Sequence, residues 1–239
     1  MTSPARKHYQ KATAAQAAGA AQPGQPQTGE QYELFAAALW EAKRTLKAIK
    51  SVQAKIEKKR ELLPEFAPYI EGVLAAGTGA QDDVLMTLMV WHIDTGDLLG
   101  ALAIAEYAMK HGLNTPDQYD RDTVSLITEE IAEQALRMME GPFADSDEGR
   151  AEAAEQAGEL VAMLRRAEAI TEGHDMHDEI RAKLHKALGY AHRTAGSLPD
   201  ALAQLKAALS LNERAGVKKD IERLERELKN ATTGKEGEA

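Results

Sequence analysis

The feature that most constrains this chain is the stretch from Glu30 to Arg60, which predicts one long helix with two unlike faces. Apolar residues recur along it at steps of three and four, which is typical of a coiled-coil packing seam. The other face is cationic in its second half, because eight bases and only two acids lie between Glu41 and Arg60. The seam consists of Phe35, Leu39, Ala42, Leu46, Ile49 and Ile56.

Charge is segregated along the chain. Residues 1–60 carry eleven bases and four acids, a net charge of +7, whereas the rest carries 18 bases and 34 acids, a net charge of −16. A basic segment on an acidic chain indicates contact with a polyanion such as nucleic acid, and a solvated helix face is the plainer alternative. The predicted DNA-contacting residues are Arg6, Lys7, Lys43, Arg44, Lys47, Lys50, Lys55, Lys58, Lys59 and Arg60.

The whole pattern predicts an all-α protein of stacked helical hairpins preceded by the long basic helix. The first 29 residues are rich in Ala, Gln, Gly and Pro, so they predict a disordered basic arm. A new helix is expected to begin at Pro64, since proline suits the first helical turn. The predicted divisions are the arm 1–29, the basic helix 30–63, a helical core 64–141, a C-terminal region for self-association or docking 148–230, and a disordered tail 231–239.

Two helical hairpins share a spacing that is weakly similar to the tetratricopeptide repeat. The matching positions are Leu88, Met89, Gly96, Ala101, Ala105 and Ala108 in the first hairpin and Leu188, Gly189, Gly196, Ala201, Leu205 and Ala208 in the second. The last helix also repeats apolar residues at steps of four and three. The predicted oligomer interface therefore combines Phe35, Leu39, Leu46, Ile49 and Ile56 with Val217, Ile221, Leu224 and Leu228.

Several classes of protein are disfavoured by what the sequence lacks. It has no cysteine, which removes disulfides and thiolate metal sites and fits a cytoplasmic protein. It has no run of roughly 18 apolar residues that could span a membrane. It also has no glycine-rich phosphate loop followed by Lys-Ser/Thr, so we do not expect ATP hydrolysis by this chain.

A metal-dependent nuclease would need two or three convergent carboxylates. The densest candidates are Asp82, Asp83, Asp94 and Asp97, which are weak candidates because acids also favour first helical turns and tight turns. We therefore predict no metal site and no cofactor, with Mg²⁺ required only if the nuclease alternative holds.

Several strings together resemble the gpM-type small terminase subunit family of tailed temperate phages, also labelled the terminase endonuclease subunit. They are MTSPARKH, RTLKAIKS, KKRELLPEFAPYIEGVL, GAQDDVLMTLMVWHIDTGDLLGALAIAEYAMKHGL, DEIRAKLHKALG and AGVKKDIERLERELK. The resemblance implies a subunit that recognises the cohesive-end site on viral DNA, forms a ring-like oligomer and presents DNA to a large subunit that carries the ATPase.

Three functional hypotheses follow. The first is a non-catalytic DNA-recognition subunit whose partners are double-stranded viral DNA, the terminase large subunit and further copies of itself, without a membrane, in the host cytoplasm. The second is a metal-dependent endonuclease that cuts the cohesive-end site. The third is a helical-repeat adaptor whose basic face binds acidic protein.

Overall fold

The computed structural model describes residues 3–116, 121–139 and 147–236, and the all-α prediction is confirmed. In that part of the chain ten helices and no strand occur. No described helix combines the length and apolar character that crossing a bilayer requires. The helices are α1 Pro4–Ala20, α2 Glu30–Ala48, α3 Val52–Ala76, α4 Asp83–Thr95, α5 Leu98–His111, α6 Thr123–Met139, α7 Asp147–Thr171, α8 Asp178–Thr194, α9 Leu198–Leu211 and α10 Lys218–Glu236.

The chain divides into two compact units. Unit 1 is Met1–Thr123 and unit 2 is Val124–Ala239, so the division falls inside the predicted 64–141 core. At the C-terminus α10 continues to Glu236, where the sequence predicts a disordered tail. Residues 237–239 of that predicted tail lie outside the described residues.

Helix α1 replaces most of the predicted disordered arm 1–29. Its buried face is made of small residues, Ala14 and Ala18, which are 1% exposed. These alanines allow the backbones of α1 and α3 to approach closely at Gly72, where a Cβ would lie 2.6 Å from the Lys11 carbonyl oxygen. Lys11 also forms an ion pair with Glu71 at 2.7 Å. Alanine offers little apolar area, but close contact along a whole face compensates for that small area.

The segment that joins α1 to α2 is held by backbone hydrogen bonds. The Gln27 amide donates to the Gln81 carbonyl at 2.7 Å, and the Gln81 amide donates to the Gln25 carbonyl at 2.9 Å. The Gly24 amide donates to the Gly79 carbonyl at 2.9 Å. This short extended pairing anchors the linker beside the start of α4.

The predicted single helix from Glu30 to Arg60 is wrong, because the structure has two helices and a corner. Helix α2 ends at Ala48, Ile49 adopts an extended conformation, and Ser51 caps α3 by accepting from the Ala54 amide at 3.3 Å. The predicted helix start at Pro64 is also wrong. Pro64 and Pro68 both lie inside α3, which runs on to Ala76.

The coiled-coil seam of α2 is used within unit 1. Phe35 packs against Phe66 and Tyr69 of α3, with ring centroids 6.2 and 4.7 Å apart. Leu39 and Leu46 are buried with it. Side chains enclosed within one protomer cannot form the predicted contact with a second copy. Of the predicted interface residues of unit 1, Phe35, Leu39 and Leu46 are buried, and Ile49 and Ile56 are half-buried.

The predicted C-terminal interface residues are also largely internal. Val217 and Leu224 have no exposed surface, and Ile221 is 7% exposed. They pack in one cluster with Ala201 and Leu205 of α9. Leu228 is half-buried. The apolar stripe of α10 therefore closes the core of unit 2.

The two predicted hairpins share the same turn. Gly96 joins α4 to α5 with φ 82°, and Gly196 joins α8 to α9 with φ 83°. The amide that follows the turn glycine donates back to a histidine carbonyl in both hairpins, Asp97 to His92 and Ser197 to His192, each at 2.9 Å. A helical hairpin with this turn thus occurs in each unit, and the two turns are one hundred residues apart. Similarity to the tetratricopeptide repeat itself stays a prediction.

Replacing Gly72 with alanine tests the close contact between α1 and α3. We expect Gly72→Ala to lower the unfolding free energy by about 1–3 kcal/mol, because the new methyl group overlaps the α1 backbone. Gly19→Ala is the matched control: nothing lies within 4 Å of its Cβ position, so it should leave stability unchanged or raise it by less than about 1 kcal/mol. Urea unfolding followed by circular dichroism measures both, and equal stability of the two variants would contradict the packing.

Candidate nucleic-acid interface

The corner between α2 and α3 gathers eight of the ten predicted DNA-contacting residues at one end of a helical hairpin. We call this region, residues 43–60, the basic corner. The last turns of α2 supply three of its bases, the connecting residues supply one, and the first turns of α3 supply four. In chain order these are Lys43, Arg44, Lys47, Lys50, Lys55, Lys58, Lys59 and Arg60.

Two of these bases hold α3 to the end of α4. Lys59 forms an ion pair with Asp94 in which the side chains are 18% and 30% exposed. The Lys59 ammonium also lies 5.8 Å from the Trp91 ring centroid. Arg60 donates to the Thr95 carbonyl at 3.0 Å and to Glu57 at 2.5 Å. Lys59 and Arg60 therefore have structural partners, and any DNA contact by them would compete with these partners.

Three further bases have weaker partners. Lys43 is half-buried and donates to the Thr87 hydroxyl at 3.4 Å. Burial lowers the pKa of Lys43, and the nearby Asp83 opposes that shift. Arg44 pairs with Glu41 at 2.8 Å and Lys58 with Glu61 at 2.9 Å, both between neighbouring turns of one helix. Exposed pairs of this kind contribute about 0–1 kcal/mol, so a phosphate can replace the carboxylate at little cost.

Lys47, Lys50 and Lys55 have no ion pair within the described part of the chain. Lys47 and Lys50 are exposed, and Lys55 is half-exposed. Arg6 and Lys7 are exposed on α1. Within the basic corner, the positive charge available to a ligand is therefore greatest at Lys47, Lys50 and Lys55. This set is narrower than the ten DNA-contacting residues that the sequence predicts.

The four candidate carboxylates do not form one site. Asp82 is the N-cap of α4 and Asp83 is its first residue, whereas Asp94 lies in its last turn and Asp97 is the N-cap of α5. Asp83 and Asp94 are eleven residues apart along the helix, a separation of about 16 Å. Asp94 is paired with Lys59. Among residues 3–116, 121–139 and 147–236, no group of three or more side chains is arranged to hold a metal ion.

Asp97 and Asp83 have roles typical of turns and helix starts. One oxygen of Asp97 accepts from the Gly100 amide at 3.0 Å, and the other lies 2.8 Å from Nδ1 of His92. Asp83 is exposed in the first turn of α4 and accepts from the Gln81 side chain at 3.0 Å.

Asp82 is a buried structural residue. It has no exposed surface, caps α4 by accepting from the Leu85 amide at 2.8 Å, and accepts from the Tyr69 hydroxyl at 2.6 Å. Burial raises the pKa of Asp82 to about 6, although both hydrogen bonds oppose that shift. Burial and the nearby Asp82 charge also raise the pKa of Tyr69. Asp82 therefore joins α3 to α4 in the interior of unit 1 and is not exposed to a substrate.

Trp40 is a surface residue that the seam spacing leaves out. It is 60% exposed, and the Arg44 guanidinium lies 5.4 Å from its ring centroid. Its position off the seam is visible in the sequence, but only the structure shows that no other described element of unit 1 covers it.

This helical chain with a basic corner belongs to the phage small terminase subunit family, whose sequence profile matches residues 36–179. It is 46% identical over 232 residues to the protein named "Terminase, endonuclease subunit" of Escherichia phage P2. That match covers 96% of this chain and 87% of the phage P2 protein. No solved structure matches the chain.

The buried carboxylate predicts a pH dependence of stability. The pKa of Asp82 is about 6 in the folded protein and near its usual 3.8 when unfolded. At a pH between these two values, Asp82 is therefore protonated in the folded state and ionised in the unfolded state. Asp82 should therefore make the unfolding free energy fall as pH rises from about 4 to about 6, by up to about 3 kcal/mol. The contribution of Asp82 is isolated by the difference in unfolding free energy between wild type and Asp82→Asn, measured by denaturant unfolding across pH 4–7.

Asp83→Asn is the matched control, since Asp83 lies next to Asp82 and is exposed. Its unfolding free energy should fall with pH across this window as that of wild type does, by a slightly smaller amount, because the Asp83 charge adds a minor part to the raised pKa of Asp82. A profile of Asp82→Asn parallel to that of wild type would show that the carboxyl is not protonated on folding.

Proposed function

We propose that this chain is the DNA-recognition and assembly subunit of a phage packaging terminase. Membership of the small terminase subunit family and the similarity to the phage P2 protein support a role in packaging phage DNA. The observation that carries DNA contact is the group of three lysines at the basic corner, Lys47, Lys50 and Lys55, that lack an ion pair within the described residues. The chain assembles with further copies of itself, in a ring, and delivers viral DNA to the ATPase-bearing large subunit in the host cytoplasm.

The physical basis of DNA contact is the exchange of counterions for lysines. Duplex DNA carries about one charge per 1.7 Å, and each phosphate that a protein neutralises releases bound cations. Contacts of this type position a protein on DNA and carry little sequence information. Recognition of a particular site therefore needs further contacts, for which Arg6 and Lys7 of α1 are candidates.

Reversing the charge of these three lysines should weaken DNA binding. We expect the triple variant Lys47→Glu, Lys50→Glu and Lys55→Glu to bind cohesive-end duplex at least tenfold more weakly. The slope of log affinity against log salt should become shallower by about 0.9 for each phosphate that the variant no longer neutralises. Fluorescence anisotropy over a series of salt concentrations measures both quantities.

The matched control is Arg214→Glu, Lys218→Glu and Lys219→Glu, which makes the same change in net charge at exposed positions of unit 2. The control should bind as wild type does. Equal weakening of both triple variants would indicate a non-specific charge effect. Binding that does not depend on salt would favour the third hypothesis, an adaptor whose basic face contacts acidic protein.

A second candidate function is cleavage of the cohesive-end site, and one observation favours it. The phage P2 relative is named an endonuclease subunit. In this chain Asp82, Asp94 and Asp97 are engaged with Tyr69, Lys59 and His92, so Asp83 is the candidate carboxylate most accessible to a substrate. Mg²⁺ or Mn²⁺ would be needed only for this activity.

Incubation of the purified chain with cohesive-end DNA and Mg²⁺ or Mn²⁺ separates the two candidates. Without the large subunit we expect no site-specific cutting, because the candidate carboxylates do not converge. The measurement is end-mapping of the DNA on a sequencing gel. Site-specific cutting that Asp83→Asn abolishes, and that the exposed control Asp175→Asn in unit 2 retains, would assign the nuclease to this chain.

A further inference from the structure

The outer face of α2 is an apolar surface that no other described element of unit 1 covers. Trp40 is 60% exposed and Leu34 is 57% exposed. Ala37 and Ala38 lie between them and are also exposed. The opposite side of α2 is already occupied, since Phe35 and Leu39 are in the core of unit 1.

Four of the charges on this face are arranged with an internal symmetry, and a fifth, Glu41, pairs with Arg44 of its own helix at 2.8 Å. Glu30 and Glu33 lie in the first turns of α2, and Arg44 and Lys47 lie in its last turns. Glu33 and Arg44 are equally far in sequence from the Ala38–Leu39 peptide bond, and so are Glu30 and Lys47. Ala37 and Trp40 are placed symmetrically about the same bond. A helix face with this pattern is complementary to a reversed copy of itself.

We propose that the outer face of α2 pairs, antiparallel, with the same face of a second copy of this chain. Glu33 then faces Arg44 of the second copy, where it competes with the weak exposed pair that Arg44 makes with Glu41. Glu30 faces Lys47 of the second copy. The large Trp40 ring packs over the small Ala37 side chain of the second copy, which allows the two helices to approach closely. This pairing rests on the proposed function only in that a terminase small subunit self-associates.

The charge pattern selects this occupant over others. An acidic peptide would meet Glu30 and Glu33, and a basic one would meet Arg44 and Lys47, so a partner of a single sign is repelled at one end. A reversed copy is attracted at both ends, and antiparallel helix dipoles add to that attraction.

The pairing closes with two copies, because each copy uses the same surface. A larger ring would then need a second, different contact between such pairs. At a rise of 1.5 Å per residue, the pairing also places the Lys47 residues of the two copies roughly 25 Å apart. In the pair Lys47 faces Glu30 of the second copy, so Lys50 and Lys55 of the two basic corners are the lysines that remain available to the same duplex.

Cysteine cross-linking tests the pairing directly, because the chain has no cysteine of its own. In the full-length double variant Glu33→Cys/Arg44→Cys, the two introduced thiols lie about 16 Å apart along one helix, too far for a disulfide within one chain. Antiparallel pairing brings position 33 of one copy beside position 44 of the other. Mild oxidation should therefore convert the double variant to covalent dimers, which a non-reducing gel detects. Each single variant should run as a monomer after the same treatment.

Two outcomes would overturn the proposal. Absence of dimers in the double variant would show that these positions do not face each other. Efficient dimer formation by Glu33→Cys alone would indicate parallel pairing instead.

Native mass provides an independent measurement. Trp40→Glu should reduce the assembly mass seen by sedimentation velocity, whereas Leu99→Glu, a matched change at a 58% exposed leucine of α5, should leave it unchanged. Glu33→Arg and Arg44→Glu should each weaken assembly, and the two together should restore it. Equal masses for Trp40→Glu and wild type would refute the pairing.

The same samples separate the two proposals. A protein that binds DNA in a salt-dependent manner but does not cross-link refutes the pairing alone. A protein that cross-links but does not bind DNA refutes the proposed DNA contact alone.

Discussion

The arrangement of unit 1 depends on one hydrogen bond between buried side chains. Asp82 begins α4 and accepts from the Tyr69 hydroxyl of α3, and the Tyr69 ring lies 4.7 Å from Phe35 of α2. Three helices thus meet at one polar contact inside an apolar core. A buried carboxylate without a partner is costly, so packings in which Tyr69 cannot reach Asp82 are disfavoured. The position of the basic corner follows, because the same α3 carries Tyr69 and Lys55.

The helical fold and many helix ends could be predicted from the sequence. Gly77, Gly96 and Gly112 end three helices in the left-handed conformation, as their place in the pattern indicates. The corner at Ile49 and the continuation of α3 through Pro64 could not be predicted, because the residue types at these two positions are compatible with either a helix end or a continuing helix. Burial of Phe66 and Tyr69 beyond the proline compensates for the hydrogen bond that Pro64 cannot make.

Contacts between distant parts of the chain account for most of what sequence reasoning missed. An alanine-rich segment has the composition of a flexible arm, yet α1 packs because Gly72 lies opposite Ala14. The distribution of lysines indicated where the basic surface lies but not which lysines have partners. Lys59 is committed because Asp94, 35 residues away, comes beside it. Periodicity on α2 identified a packing face and could not show that the partner is the same protomer.

The bend at Ile49–Ser51 changes how such a protein meets a long polymer. A straight cationic rod could lie along the duplex and hold many phosphates, whereas a corner touches only a few. The affinity of a single copy would then be modest and its residence brief. Tight attachment would come from avidity, since linked copies raise the effective concentration of each next corner. If the proposed DNA contact and assembly hold, a subunit built in this way would release one phosphate and take the next while the other copies keep the assembly on the duplex.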